Sequence, residues 1–185
     1  AAAVLFRGRL STTAAHAQTL GRTAGTGNVT FSQAVGGGTT LGDVTINSAG
    51  TVLASSTVAA KSVTQTAGTG TTTFNGIDTT GLRDVAGGGV NLTTAGAISV
   101  SGGSVVTSGG TASAAGQDAG AVTLNSTGST VSVGTVTATD ADRPSQPLVY
   151  TVDGGADAGR FTIDAASAFL PSGALASGAG AGYMW

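Results

Sequence analysis

An all-β fold of short stacked strands is predicted for this 185-residue chain by its composition, its local alternation and its internal repetition. Thirty-two glycines, 40% hydrophobic residues and only 9% charged residues leave Ala, Ser, Thr and Val to fill most of the chain. Glu is absent and Lys occurs once, as Lys61, while Gly, Ser and Thr interrupt every window that might carry a 3.6-residue apolar stripe. Helix is therefore not expected. Disorder is the rival that a Gly/Ser/Thr-rich chain raises, because such chains often bury too little apolar surface to offset their ordering entropy. Against it, the Val, Ile, Leu and Phe residues sit in short alternating runs, the pattern of half-buried strands.

Residues 28–32 show the alternation: Val29 and Phe31 point one way, Asn28, Thr30 and Ser32 the other. The same division holds over residues 43–47, 71–75 and 121–125. Repetition then supplies the assembly. Thr23-Ala24-Gly25-Thr26-Gly27 returns 43 positions later as Thr66-Ala67-Gly68-Thr69-Gly70, and each copy runs into a Thr-Phe pair, Thr30-Phe31 and Thr73-Phe74. A second unit, Val-x-(Ile/Leu)-x-(Ser/Thr)-x-Gly, starts at Val44, Val90 and Val122, at spacings of 46 and 32. Further apolar pairs between these units make one coil of about 20 residues the elementary step. One such strand cannot bury its apolar pair alone; coils stacked in register bury it against their neighbours, and glycines take the corners. The expected inward ladder includes Val29, Phe31, Val44, Ile46, Phe74, Val90, Leu92, Val122 and Leu124.

These coils, over residues 20–135, resemble the parallel β-helix repeats of filamentous-haemagglutinin-like adhesins and autotransporter passengers, on phrases such as residues 66–74 and 120–134. The resemblance implies a parallel β-solenoid serving as an extracellular stalk or contact surface on a bacterial cell, with a cell-surface or matrix receptor. Residues 1–19 are expected to be a frayed N-terminal segment. Ala15-His16-Ala17 has the small-x-small form of a signal-peptidase site, but Arg7 and Arg9 interrupt the region that would have to stay apolar, so a leader is not expected.

From about Thr135 the glycine runs give way to residues 136–143, Val-Thr-Ala-Thr-Asp-Ala-Asp-Arg, with Pro144 and Pro147 close behind, and a boundary is expected here. Five of the nine aspartates, Asp140, Asp142, Asp153, Asp157 and Asp164, fall within 25 residues. Clustered hard oxygen ligands are what calcium requires. Residues 138–142, Leu148-Val149-Tyr150 and residues 154–164 closely resemble the opening of bacterial cadherin-like repeats. That resemblance implies a partial β-sandwich over residues 136–170, with Asp140 and Asp142 as calcium ligands and Tyr150, Phe161 and Ile163 facing inward. The acidic linker that would complete such a site is missing, and residues 171–185 form a Gly-rich tail without alternation.

A net charge of −2 provides no basic field for phosphates, so nucleic acid is not an expected partner. No apolar run approaches the roughly 20 residues that span a bilayer as a helix. Zero cysteines exclude disulfides and thiolate metal sites. The single histidine, His16, lies in a segment without a strong fold signal, which disfavours a nucleophile-and-base pair. Gly25-Thr26-Gly27 and Gly68-Thr69-Gly70 lack the Lys-Ser/Thr of a phosphate loop and read as coil corners. The outward rows mix Asn, Thr, Ser and Asp, so a regular ice-binding lattice is not expected. The sequence thus points to a non-enzymatic adhesin or stalk segment. A self-assembling extracellular filament subunit is the alternative, because a solenoid ends in unpaired edges. A polysaccharide-active β-helix enzyme ranks third.

Overall fold

The computed structural model describes residues 2–111 and 117–138. Among them are ten β-strands and no helix: β1 (Val4–Phe6), β2 (Leu20–Thr23), β3 (Val29–Phe31), β4 (Leu41–Ser48), β5 (Val52–Gln65), β6 (Thr72–Asp78), β7 (Val90–Thr94), β8 (Ile98–Val106), β9 (Val122–Ser126) and β10 (Val131–Thr137). All the strand pairings are parallel. One ladder runs β1-β3-β5-β6-β8-β10, and a second runs β2-β4-β5-β7-β9. The 14-residue β5 belongs to both, which joins them into a single ten-stranded network.

Register turns the alternation of each strand into continuous columns. In the first ladder Val4, Val29, Val52, Thr72, Ile98 and Val131 follow one another. Two residues further along lie Phe6, Phe31, Ala54, Phe74, Val100 and Val133. A third column passes through Leu10, Val35, Val58, Ile77, Val105 and Val136. The second ladder carries Leu20, Val44, Val63, Val90 and Val122 beside Arg22, Ile46, Gln65, Leu92 and Leu124. A one-residue slip would turn every one of these side chains to the other face, so burial itself fixes the register. Between the second and third columns the pairing shifts after Ala54, after Phe74 and after Val133, so the bends stack on one another as the strands do.

Seven of the nine expected inward residues, from Val29 to Leu92, are buried. Val122 and Leu124 are half-buried and pack against that core. They belong to β9, whose sole partner among the described residues is β7, so one side of each remains open. The spacing differs from the expected 20 residues: paired positions advance by as few as 19, from Val44 to Val63, and as many as 33, from Ile98 to Val131. Lengthening a surface loop costs little closure entropy, so the ladder tolerates uneven connections.

The N-terminal expectation needs correction. Residues 4–6 are a strand of the first ladder, because Val4 and Phe6 repeat the inward spacing of Val29 and Phe31. The Phe6 and Phe31 rings stack with centroids 4.9 Å apart and planes 9° from parallel. At the other end β10 runs to Thr137, past the boundary expected after Thr135. Residues 139–185, including Asp140, Asp142, Tyr150, Phe161, Ile163 and the Gly-rich tail, lie outside the described residues.

Two polar side chains sit inside the apolar columns. Thr72 and Gln65 are both buried, and Thr72 Oγ1 donates to Gln65 Oε1 at 2.9 Å. Each therefore answers the desolvation of the other. Thr72→Val should cost about 1–3 kcal/mol by leaving the Gln65 carbonyl unpaired. The double variant Thr72→Val/Gln65→Leu should recover most of that loss in urea unfolding, which measures the coupling directly.

Candidate functional site

The outward side of the second ladder is a polar face whose rows are set by the same register. Thr45, Thr64, Asn91 and Thr123 form one column. On the next outward positions Asn47 Nδ2 donates to Thr23 Oγ1 at 2.9 Å, and Thr93 pairs with Asn125. Strand spacing places neighbouring rows about 4.8 Å apart. Hydroxyls and amides in such rows offer alternating donors and acceptors without charge, which suits many weak, additive hydrogen bonds to a polar surface.

At the margin of this face the fold brings together His16, Asp43, Lys61 and Ser62. Ser62 Oγ donates to Asp43 Oδ1 at 2.7 Å, bridging β5 and β4. His16 adopts a left-handed backbone conformation (φ 61°), and its N–H donates to the Thr40 carbonyl at 3.0 Å. Its ring is partly buried, and Nε2 is enclosed without a hydrogen-bond partner. Ser62 gives its hydroxyl hydrogen to the Asp43 carboxylate and so does not donate to His16 in this arrangement. The hydroxyl instead clamps two adjacent strands.

The His16 pKa is lowered from 6.5, first by burial and then by Lys61, with Asp43 opposing. An imidazole that holds its proton less tightly when folded contributes stability that is complete above about pH 6.5 and is lost as pH falls through the folded value. His16→Asn keeps a side chain that tolerates positive φ. It should flatten the decline in melting temperature that sets in as pH falls below about 6.5, read by thermal unfolding at a series of pH values.

The N-terminal edge forms a third feature. Arg22 stands in the column of Ile46, Gln65, Leu92 and Leu124, yet it is exposed and lays its guanidinium 5.2 Å from the centroid of Phe6. Arg7 and Arg9 lie close by in sequence and are also exposed.

The expected calcium ligands Asp140 and Asp142 lie outside the described residues. Among the described residues no group of three or more His, Cys, Asp or Glu side chains could hold a metal ion. The proximity of His16 to Asp43 and the placement of Arg22 escape sequence reading, because both depend on which layer stacks on which. No family model, curated protein or solved structure matches the chain.

Proposed function

We propose that this chain is a parallel β-solenoid segment of a secreted or bacterial cell-surface adhesin or stalk, working by contact and not by catalysis. The observation that carries the reading is the continuity of the ladders: apolar columns inside, repeated from layer to layer, and on the outer side of the second ladder rows of hydroxyls and amides such as Thr45, Thr64, Asn91 and Thr123. A fold of this kind gains length by adding layers, since each layer needs only its neighbours. Its outer rows then present the same weak hydrogen-bonding chemistry along that length, as a contact surface for a cell-surface or matrix receptor requires. Brief protease treatment of intact source cells tests the location: peptides from residues 20–135 should be released into the medium. Their retention inside the treated cells would contradict a surface role.

Calcium belongs to this reading only through Asp140 and Asp142, where the cadherin-like phrase lies. Binding to the folded form alone stabilises whatever holds the ion. Calcium titration followed by residue-resolved hydrogen exchange should protect residues 136–164 and leave residues 29–124 unchanged. The variant Asp140→Ala/Asp142→Ala should abolish the response.

A further inference from the structure

We propose that Asn75 and Gly76 form a self-modification site, at which the chain converts the Asn75 carboxamide through a succinimide into aspartate and isoaspartate. Of the asparagines in the chain, Asn75 is the one followed by glycine. It stands half-buried on β6, between the buried Phe74 and Gly76. Asn28 and Asn47 are tied down: Asn28 Oδ1 accepts from the Thr51 N–H at 3.1 Å, and Asn47 Nδ2 donates to Thr23 Oγ1 at 2.9 Å. The Asn75 carboxamide makes no hydrogen bond among the described residues. Asn91 and Asn125 precede Leu92 and Ser126, whose Cβ atoms crowd the next amide nitrogen.

Both neighbouring strands pass Asn75 over. On the β5 side pairing steps from Phe74/Ala54 to Gly76/Thr57, and on the β8 side from Phe74/Val100 to Ile77/Val105. A bulge of this kind bends the strand and interrupts the ladder, which loosens the extended course that holds a backbone nitrogen away from the preceding side chain. Gly102 of the next layer leaves the space in which the carboxamide lies, because a Cβ there would overlap Asn75 Oδ1. Gly76 differs from the corner glycines. At Gly36, Gly50 and Gly88 a Cβ would overlap a carbonyl oxygen, whereas at Gly76 it would meet nothing nearer than the Ser104 carbonyl oxygen at 3.5 Å. Packing therefore does not demand glycine at this position. The missing Cβ instead leaves the Gly76 nitrogen unhindered in its approach to Asn75 Cγ.

The reaction consumes only water. The Gly76 nitrogen bonds to Asn75 Cγ and gives up its proton, while the Cγ–Nδ2 bond breaks and the side-chain nitrogen leaves as ammonia. Water then opens the succinimide. Addition at Cγ gives aspartate; addition at the main-chain carbonyl carbon gives isoaspartate, whose backbone runs through Cβ and Cγ and is one methylene longer. That extra methylene falls between Phe74 and Ile77, both buried, and disturbs the phase between two inward columns.

The full chain held folded at mildly alkaline pH, then mapped by peptide fragmentation that separates the two products, tests this. Aspartate and isoaspartate should accumulate at residue 75 while Asn28, Asn47, Asn91 and Asn125 stay amides. The folded rate should lie within about tenfold of that in guanidinium, more than the small unfolded fraction of a stable domain could supply. Gly76→Ala should keep the fold, as the 3.5 Å clearance allows, and slow the conversion by about tenfold or more. A folded rate below that range would mean that the strand shields Asn75 and would overturn the proposal. Conversion of another asparagine as fast as Asn75, or an unaltered rate in Gly76→Ala, would do the same. The comparison with guanidinium uses the unaltered chain and decides the matter if Gly76→Ala does not fold.

Discussion

Phe74→Ala is expected to lower the unfolding free energy by about 3–5 kcal/mol, the cost of removing a buried phenyl ring and leaving its cavity. Phe74 is 1% exposed and stands between Ala54 and Val100 in its column. Neither the methyl of Ala54 nor the β-branched Val100 can reach across the vacated volume. Backbone pairing on both sides also resists collapse, because β6 is held between β5 and β8. Chemical denaturation at constant m-value is the appropriate measurement. A shift below about 1 kcal/mol would mean that the ring is not enclosed.

Gly36→Ala should be nearly as damaging, at about 2–4 kcal/mol, although it adds only a methyl group. Gly36 has φ +72°, a conformation that L side chains rarely adopt, and a Cβ there would overlap the carbonyl oxygen of Ala59. The residue also lies between two inter-layer bonds: its own N–H donates to the Leu10 carbonyl at 2.8 Å, and the Ala59 N–H donates to the Val35 carbonyl at 2.8 Å. Relieving the overlap would therefore pull three layers apart. Because the strain is in the backbone, Gly36→Ser should cost at least as much as Gly36→Ala. A neutral Gly36→Ala in the same denaturation assay would show that the corner is freer than its geometry implies.

Much of the architecture was legible because the interior is built from a two-residue period. Val29/Phe31, Val44/Ile46 and Val90/Leu92 declare their buried face within five residues, and the close approach of layers leaves glycines at positions such as Gly36. The rest depends on what lies in the next layer. Thr72 and Gln65 are polar residues in apolar columns, tolerable only because register and fold bring one to the other. Arg22 reads as an ordinary surface residue until β2 is aligned on β4, which places it opposite Ile46. The breadth of β5, one strand serving two ladders, was likewise hidden behind Ser55, Ser56 and Thr57, which look like a turn. Of the candidate site, the outward Thr and Asn rows could be read from alternation, whereas the approach of His16 to Asp43 could not.

If the ladders form one continuous stack, one distance along it is fixed by strand spacing. Leu5, Thr30, Leu53, Thr73, Ser99 and Ser132 occupy successive positions of one outward column. Five steps at the spacing of parallel strands place Leu5 and Ser132 about 24 Å apart at the backbone. Spin labels at Leu5→Cys and Ser132→Cys in this cysteine-free chain, read by pulsed electron resonance, should give one narrow distribution near that distance, widened only by the label arms. A broad distribution, or a separation beyond about 40 Å, is incompatible with strands stacked at that spacing and would contradict the stack.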